Sequence, residues 1–415
     1  MVQGEDALRI GVIGLGYIGS VTAAVLAAHG NEVIGIDNVP DKVKAFSSGK
    51  IPIYEPGLME LLSNNSSNIR FSNSYEDLKD VETAFICVPT PNRDGFIDTS
   101  YVMDAARSLS IVNPTCVTIV KSTVVPGTAN KIHEQTGMHV VSNPEFTREG
   151  TAIHDTESPD RVVIGGKDKK SCDLVNSIWA FTGAPVVMTS NENAELIKYA
   201  SNSFLATKIS FINEFANLCE KIPGADVETV AKGMGLDQRI GEKFLKAGIG
   251  YGGSCFPKDT LAIAAFARTM GTELRIVEAA SQVNDHRIEH AISLIEKNWI
   301  GEMRDASIGI LGVAFKDSTD DVRESQSLRL IHALHPLVKK INVFDPVIIK
   351  DIEGAKRFEK LEECISSSDI VVVATEWPQF SKLPENAKGK IIVDLRRVIN
   401  PKEYEKFVAI GYGIR

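Results

Sequence analysis

Residues 8–13 (LRIGVI) form a short, nearly continuous apolar run that closes on a glycine, and residues 20–30 (SVTAAVLAAHG) are apolar over most of their length. The short run bounded by a turn signal predicts a strand buried on both faces, and the longer one predicts a buried helix. A second apolar run, residues 32–36, ends at Asp37. Strand, glycine turn, helix, strand and acid make one βαβ unit. Further apolar runs at residues 83–88, 116–121 and 139–142 are separated by helical stretches. That alternation predicts a parallel sheet covered by helices on both faces.

The pattern changes at residues 191–221, which contain neither Gly nor Pro. Ile197, Phe204, Phe211 and Leu218 recur at seven-residue intervals, with Ala200 and Phe215 between them. This predicts a long helix with an apolar stripe, its start boxed by Thr189 and Glu192. A helix of this length reads as a spine between domains, and its stripe as a surface for a second subunit. From Ser307 the first pattern returns. SIGILG runs into a glycine turn, INVFDP places Asp345 where Asp37 stood, and IVVVATEW and KIIVDLRR supply further strands. The segment reads as a degenerate second copy of the same plan. The expected fold is therefore α/β: two Rossmann-like doubly wound domains joined by a long-helix central domain, with boundaries at 1–190, 191–300 and 301–415. Ligands in such sheets lie beyond the carboxyl ends of the strands.

The first turn reads Gly14-x-Gly16-x-x-Gly19. A glycine triplet alone is a weak signal and fits a ligand-free βα turn. Here it follows a strand, opens a helix and precedes an acid, Asp37, eighteen residues past Gly19. In that setting Gly14 permits the tight turn, Gly16 lets the backbone approach a pyrophosphate, and Gly19 lets the helix sit against the strand. The helix N-terminus favours the phosphate charge. Asp37 would accept the ribose hydroxyls and repel a 2′-phosphate, which selects NAD over NADP.

Composition narrows the remaining classes. The chain has 415 residues, 43% hydrophobic and 24% charged, as in a multidomain globular enzyme. A net charge of −9 without a Lys/Arg cluster argues against nucleic acid as a partner. No apolar run reaches the length of a membrane span, and the first residues lack the pattern of a secretory signal. The expected location is the cytoplasm. Six cysteines without a C-x-x-C pair in such a chain suggest neither a disulfide framework nor a zinc site, and no metal is expected.

Cys255 stands apart from the others. It lies in GYGGSCFPKD, residues 250–259, where glycines allow close backbone approach and Lys258 and Asp259 flank the thiol. Taken alone, the loop is equally a structural glycine turn with an inert thiol. NPEFTREG, residues 143–150, puts Glu145 and Glu149 four apart after a strand, and a helical turn there would set both on one face. Carboxylates at a strand's end suit acid/base or water-activating work. Lys198 and Asn202, also four apart, share a face of the long helix. Solvated surface glutamates and a solubilising lysine are the plain alternatives.

The chain resembles the UDP-glucose branch of the UDP-glucose/GDP-mannose dehydrogenase family. The resemblance rests on IGVIGLGYIG, YEPGL (54–58), FICVPTP (85–91), VKSTVVPGT (120–128), NPEFTREGTAIHD (143–155), ELIKYASN (195–202), RIGEKFLKAGIGYGGSCFPKD (239–259) and GVAFKDSTDDVRES (312–325), in family order over nearly the whole chain. It implies an NAD-dependent four-electron oxidation of a sugar-nucleotide alcohol to a carboxylate, with Cys255 forming a thiohemiacetal and then a thioester. By the same resemblance Lys198 and Asn202 stabilise the oxyanion. Asp259 partners the lysine and a water, and Thr123 and Glu145 position or activate water. Glu149 lies near nicotinamide and sugar. The implied cofactor set is Gly14, Gly16, Tyr17, Ile18, Gly19, Asp37, Lys42, Pro89, Thr90, Thr123, Glu149 and Arg323. The implied substrate set is Glu145, Phe146, Lys198, Asn202, Arg239, Phe244, Gly252 and Lys316, with Arg239 reaching a neighbouring subunit's site in a dimer. The substrate implied is UDP-glucose, with no nucleic acid and no membrane as partner.

Thr147 departs from the family, which usually has leucine there. Within the family the rivals are oxidation of GDP-mannose and of UDP-N-acetylmannosamine. VPTP and TEW point to the UDP-glucose branch, and the UDP-N-acetylmannosamine branch carries PER and a GHC-type motif instead. From another class, a non-catalytic sensor of NAD or nucleotide fits the same fold. Such a sensor gives no reason for Cys255, Lys198, Asn202, Asp259, Glu145 and Thr123 to occur together.

Overall fold

The computed structural model describes residues 7–93 and 95–413. The chain divides into two compact units, Met1–Ser201 and Asn202–Arg415. The break falls inside the longest helix, Asn191–Cys219.

In the first unit the apolar runs become strands β1 (Arg9–Ile13), β2 (Glu32–Ile36), β3 (Ile69–Ser72) and β4 (Thr83–Ile86). A short hairpin of β5 (Asn92–Arg93) and β6 (Phe96–Ile97) follows. The last strands are β7 (Val117–Val120), β8 (Val140–Ser142), β9 (Val162–Gly166) and β10 (Val186–Thr189). Eight of these form one sheet in the order β10-β9-β8-β7-β4-β1-β2-β3. The order runs outward from β1 in both directions, so the crevice between the carboxyl ends of β1 and β4 is the topological switch point. All neighbours pair in parallel except β8 with β9, which is antiparallel. This corrects the all-parallel expectation, since the spacing of apolar residues carries no strand direction. Side chains of β1 divide between two cores, Ile10 and Val12 in one and Ile13 in the other. Both faces of the sheet are thus buried, which is why these strands read as continuous apolar runs.

The second unit repeats the plan. Strands β11 (Ser307–Leu311), β12 (Lys340–Phe344), β13 (Lys356–Arg357), β14 (Ile370–Val373), β15 (Ile391–Asp394) and β16 (Phe407–Ala409) form a sheet ordered β13-β12-β11-β14-β15-β16. Every pair in it is parallel. The likeness reaches individual hydrogen bonds. Gly14 N donates to Ile36 O (2.7 Å) and Leu15 N to Asp37 Oδ2 (2.9 Å). Gly312 N donates to Phe344 O (2.8 Å) and Val313 N to Asp345 Oδ2 (2.7 Å).

The long helix carries most of its predicted stripe on the outside. Phe204, Phe211, Phe215 and Leu218 of the predicted stripe are exposed. The residues it buries in the second unit are mostly small or polar, Asn202, Ser203, Ala206, Ser210, Asn213, Ala216 and Cys219, with Ile212 as the large apolar one. Thr189 does not box the helix start. It ends β10, and Ser190 Oγ accepts from Asn193 N (3.3 Å) while Asn193 Nδ2 donates to Thr189 Oγ1 (2.9 Å). Among the described residues no helix is long and apolar enough to cross a membrane. Nor does any group of three His, Cys, Asp or Glu side chains among them come together as a metal site.

Candidate functional site

The glycine turn of the first unit is shaped from within. A Cβ on Gly19 would lie 1.8 Å from Gly14 O, and one on Gly14 2.8 Å from Cys87 O. A Cβ on Gly16 would meet nothing within 4 Å. Gly14 and Gly19 therefore answer to the protein's own packing, whereas Gly16 faces open space. Gly16 is also the N-cap of the helix Tyr17–Ala28 and supplies no side-chain cap, so the first-turn N–H groups remain available to an anion. Asp37 is buried and accepts from Leu15 N (2.9 Å), Val39 N (3.1 Å) and Lys42 Nζ (2.8 Å). Ile18 is half-buried in the turn, and at the end of β4 Pro89 is exposed and Thr90 buried. These residues fit a dinucleotide. One prediction separates the two kinds of glycine. Gly16→Ala should melt within a few degrees of the parent and lose NAD affinity by about tenfold or more. Gly19→Ala should lose the fold itself. Calorimetric titration with NAD beside thermal melting decides it, and a Gly16→Ala protein that binds NAD as the parent does contradicts the assignment.

At the end of β8, Glu145 and Lys198 form a buried pair. Lys198 Nζ donates to Glu145 Oε1 and to Glu145 O, each at 2.7 Å. Thr147 donates to Oε2 through its amide (2.7 Å) and its hydroxyl (2.8 Å). Burial by itself would raise the Glu145 carboxyl, but the Lys198 charge and the hydrogen bonds from Lys198 and Thr147 outweigh it and hold the group below its ordinary value. Thr147, the departure from the family pattern, thus supplies a hydroxyl that leucine lacks. The Phe146 ring lies between cations, Arg161 at 3.7 Å and Lys198 Nζ at 5.5 Å from its centroid.

Glu145 and Glu149 do not share a helical face. Residues 143–150 are irregular, Gly150 has φ +84°, and the next helix begins only at Ala152. The half-buried Glu149 is placed instead through its neighbour, because Glu55 accepts from Gly150 N and Ala152 N, each at 2.7 Å, and from the Tyr17 hydroxyl. Glu55 thereby ties the glycine turn to the Glu149 segment. Thr123, half-buried, precedes the helix Thr128–Thr136. Glu195 of the long helix accepts from Gly127 N (2.6 Å) and Ala129 N (2.9 Å) at that helix's start, and burial raises its carboxyl to about 7. Sequence reasoning missed Glu55 and Glu195. It also missed Lys121, which is buried, contacts Asn143 Oδ1 at 3.5 Å and sits 4.7 Å over Trp179.

In the second unit Cys255 is exposed, whereas the other five cysteines of the chain are buried. Burial pushes the Cys87, Cys116 and Cys364 thiols up to about 12, which makes them inert. Cys255 is the N-cap of the helix Phe256–Thr269, started by Pro257. The helix end favours negative charge at its sulfur. One turn on, Asp259 is fully buried and accepts from Asn202 Nδ2 (2.7 Å). Lys258 Nζ lies 2.9 Å from Asp259 Oδ1 as a charge contact without the angle of a directed hydrogen bond. Before the thiol, a Cβ on Gly252 would lie 2.1 Å from Glu324 O, so this glycine is required by packing.

Phe244 holds φ +66°, a strained conformation for an aromatic residue, and its ring meets Phe256 at 6.1 Å. Arg239 is exposed and paired with Asp237 at 2.6 Å. Lys316 and Arg323 both lie on the loop between β11 and the helix Gln326–Leu334, with Arg323 paired to Asp321 at 2.7 Å. The FKDSTDDVRES segment does open a helix, with Ser325 as its cap.

The structure thus brings together the glycine turn with Asp37 and Lys42, Glu145 with Phe146 and Lys198, and Asn202 with Asp259 and the Cys255 helix. Profiles of the UDP-glucose/GDP-mannose dehydrogenase family match the chain in three stretches: the NAD binding domain over residues 8–182, the central domain over 192–286 and the UDP binding domain over 309–401. A UDP-glucose 6-dehydrogenase of Rhizobium meliloti is 40% identical, over 96% of this chain and 97% of its own length. A UDP-glucose dehydrogenase of Pyrobaculum islandicum superposes with a TM-score of 0.94 at 36% identity, over 99% of both chains. A UDP-D-ManNAc dehydrogenase of Pyrococcus horikoshii superposes with a TM-score of 0.88 at 28% identity, over 98% of this chain and 100% of its own.

Proposed function

Because the chain belongs to the UDP-glucose/GDP-mannose dehydrogenase family, we propose that it oxidises the C6 alcohol of UDP-glucose to the carboxylate of UDP-glucuronate in two steps. NAD, when bound, accepts one hydride in each step. In the proposed sequence the Cys255 thiolate adds to the C6 aldehyde left by the first oxidation, giving a thiohemiacetal that keeps the aldehyde on the protein. The second oxidation makes it a thioester, and water then cleaves the C–S bond, releasing the acid and restoring the thiol. Lys198 and Asn202 stabilise the oxyanion at C6, each held ready by its own carboxylate, Glu145 and Asp259. With both Glu145 oxygens already accepting donors, its part is to fix the Lys198 charge more than to take a proton.

We assign NAD to residues 1–190, the Cys255 loop and dimer contacts to 191–300, and the UDP moiety to 301–415. Gly14, Gly16, Asp37 and Lys42 hold the cofactor. Phe244, Gly252, Lys316 and, from the second subunit, Arg239 hold the sugar nucleotide. The proposed dimer draws support from the exposed Phe204, Phe211, Phe215 and Leu218 on one helix. The observation that carries the reading is Cys255, exposed at a helix start, one turn before a buried Asp259 that grips Asn202.

The test counts NADH formed per sugar consumed, with UDP-glucose, GDP-mannose and UDP-N-acetylmannosamine in parallel. The expected result is two NADH per UDP-glucose and slower turnover of the others. Turnover confined to another sugar keeps the chemistry and moves the substrate. NAD binding with no turnover on any of the three favours the sensor.

A further inference from the structure

One residue in the loop before Cys255, Tyr251, is gripped at its N–H and at its carbonyl from two helices. Tyr251 N donates to Asn284 Oδ1 (2.8 Å), and Tyr251 O accepts from Asn284 Nδ2 (3.0 Å) and from Gln326 Nε2 (2.7 Å). Asn284 lies near the end of the helix Arg275–Asp285, and Gln326 is the first residue of Gln326–Leu334. Both side chains are buried, Gln326 to 1% exposure. Two donors satisfy both lone pairs of the Tyr251 carbonyl and hold the Tyr251–Gly252 peptide, while the Asn284 acceptor holds the Gly250–Tyr251 peptide before it.

The flanks of the loop are held as well. Gly248 N donates to Asn213 Oδ1 (2.8 Å), and Gly248 O accepts from Arg287 Nε (3.0 Å). Gly253 N donates to Arg323 O (3.1 Å), and a Cβ on Gly253 would lie 2.7 Å from the Phe315 ring. The Tyr251 ring stands edge-on to Phe256, centroids 5.8 Å apart at 90°. Phe256 directly follows Cys255 and begins its helix. The backbone held on both sides of Tyr251 therefore positions the residue whose ring packs at the start of the Cys255 helix.

We propose that Asn284 and Gln326 are positioning residues for Cys255. By holding the Tyr251 backbone from two sides they set the direction in which the loop presents the thiol. Through Gln326 that direction is tied to the loop of Lys316 and Arg323. The proposal rests on Cys255 being the nucleophile. Nothing in the Cys255 motif announces it, since the partners stand 33 and 75 residues away in sequence.

Two variants of the full chain test it. Gln326→Met keeps the side-chain length and removes a donor. Asn284→Asp keeps the acceptor for Tyr251 N and turns the other donor into an acceptor. Each should lower kcat by about tenfold or more with KM for NAD and UDP-glucose within about twofold, as expected when a reacting group is displaced but binding is not. The iodoacetamide alkylation rate of Cys255, located by mass spectrometry against five buried thiols, should change by about threefold or more. A folded Gln326→Met protein with the parent's kcat and alkylation rate overturns the proposal, as does one that loses melting temperature alone. If Asn284→Asp does not fold, Gln326→Met decides by itself, because Tyr251 O keeps the Asn284 donor. Failure of the nucleophile assignment shows separately, as full turnover by Cys255→Ser.

Discussion

Cys255→Ser should abolish formation of the acid while leaving both ligands bound. The substitution exchanges one chalcogen for a smaller one at an exposed helix start, so the fold should survive it. On the proposed route the chemistry loses its nucleophile. An alkoxide is far harder to form than a thiolate. Turnover to the carboxylate should fall by roughly 10³-fold or more, with NAD and UDP affinities within about twofold of the parent. Product that does form should stop at the aldehyde, with one NADH per sugar in place of two. The check is NADH counting together with mass analysis of the sugar product. Full four-electron turnover by Cys255→Ser would sink the covalent route and leave direct oxidation of a hydrated aldehyde in its place.

Much of this architecture is legible in the sequence because backbone geometry leaves a period in it. Strands buried on both faces read as apolar runs, and the glycine turn reads as glycines because a Cβ at Gly19 collides with backbone. The repeated acid at Asp37 and Asp345 reads as an internal copy because each does the same work, accepting the amide after the turn. What the period omits is direction and partner. It did not reveal that β8 and β9 run antiparallel. The aromatic stripe of the long helix is legible, but the face that the helix buries is not. The helix buries Asn202 and Asn213, each committed to a hydrogen bond, with Asp259 Oδ2 and Gly248 N. The helical turn expected at Glu145 fails for local reasons: Pro144 disfavours helix at Asn143, and Gly150 is left-handed. Among site residues, Cys255, Asp259, Lys198 and Glu145 stand inside motifs. Asn284 and Gln326 are single polar residues outside the motifs, and Glu55, though inside YEPGL, has its partner Gly150 95 positions away. No local pattern encodes a contact of that kind.

Lys198→Met should be costly to both stability and rate, and its pH dependence identifies the cause. Lys198 and Glu145 are 5% and 7% exposed and paired at 2.7 Å. Removing one member of a buried pair leaves the other uncompensated, at about 3–5 kcal/mol. In the parent the Glu145 carboxyl is held below its ordinary value of 4.5. Its contribution is therefore present above that pH and is lost as pH falls through the folded value. In Lys198→Met the burial that raises the carboxyl is no longer offset by its paired cation, and the two Thr147 donors and the more distant charge of Lys121 remain as its support. The sign reverses: the variant loses stability as pH rises through the raised value. The gap between parent and variant should thus be widest near about pH 8 and narrow toward about pH 5. Urea unfolding at both pH values measures it, and a gap that is the same at both places the cost in packing instead. Replacing the pair together, as Glu145→Gln with Lys198→Met, should recover more than half of the lost stability because neither member is left as an unpaired buried charge. It should recover none of the rate. The oxyanion at C6 would still lack its cation, so kcat should stay about 10²–10³-fold below the parent. Stability restored without activity is the pattern that separates a charge held ready for the transition state from one that merely fills the core.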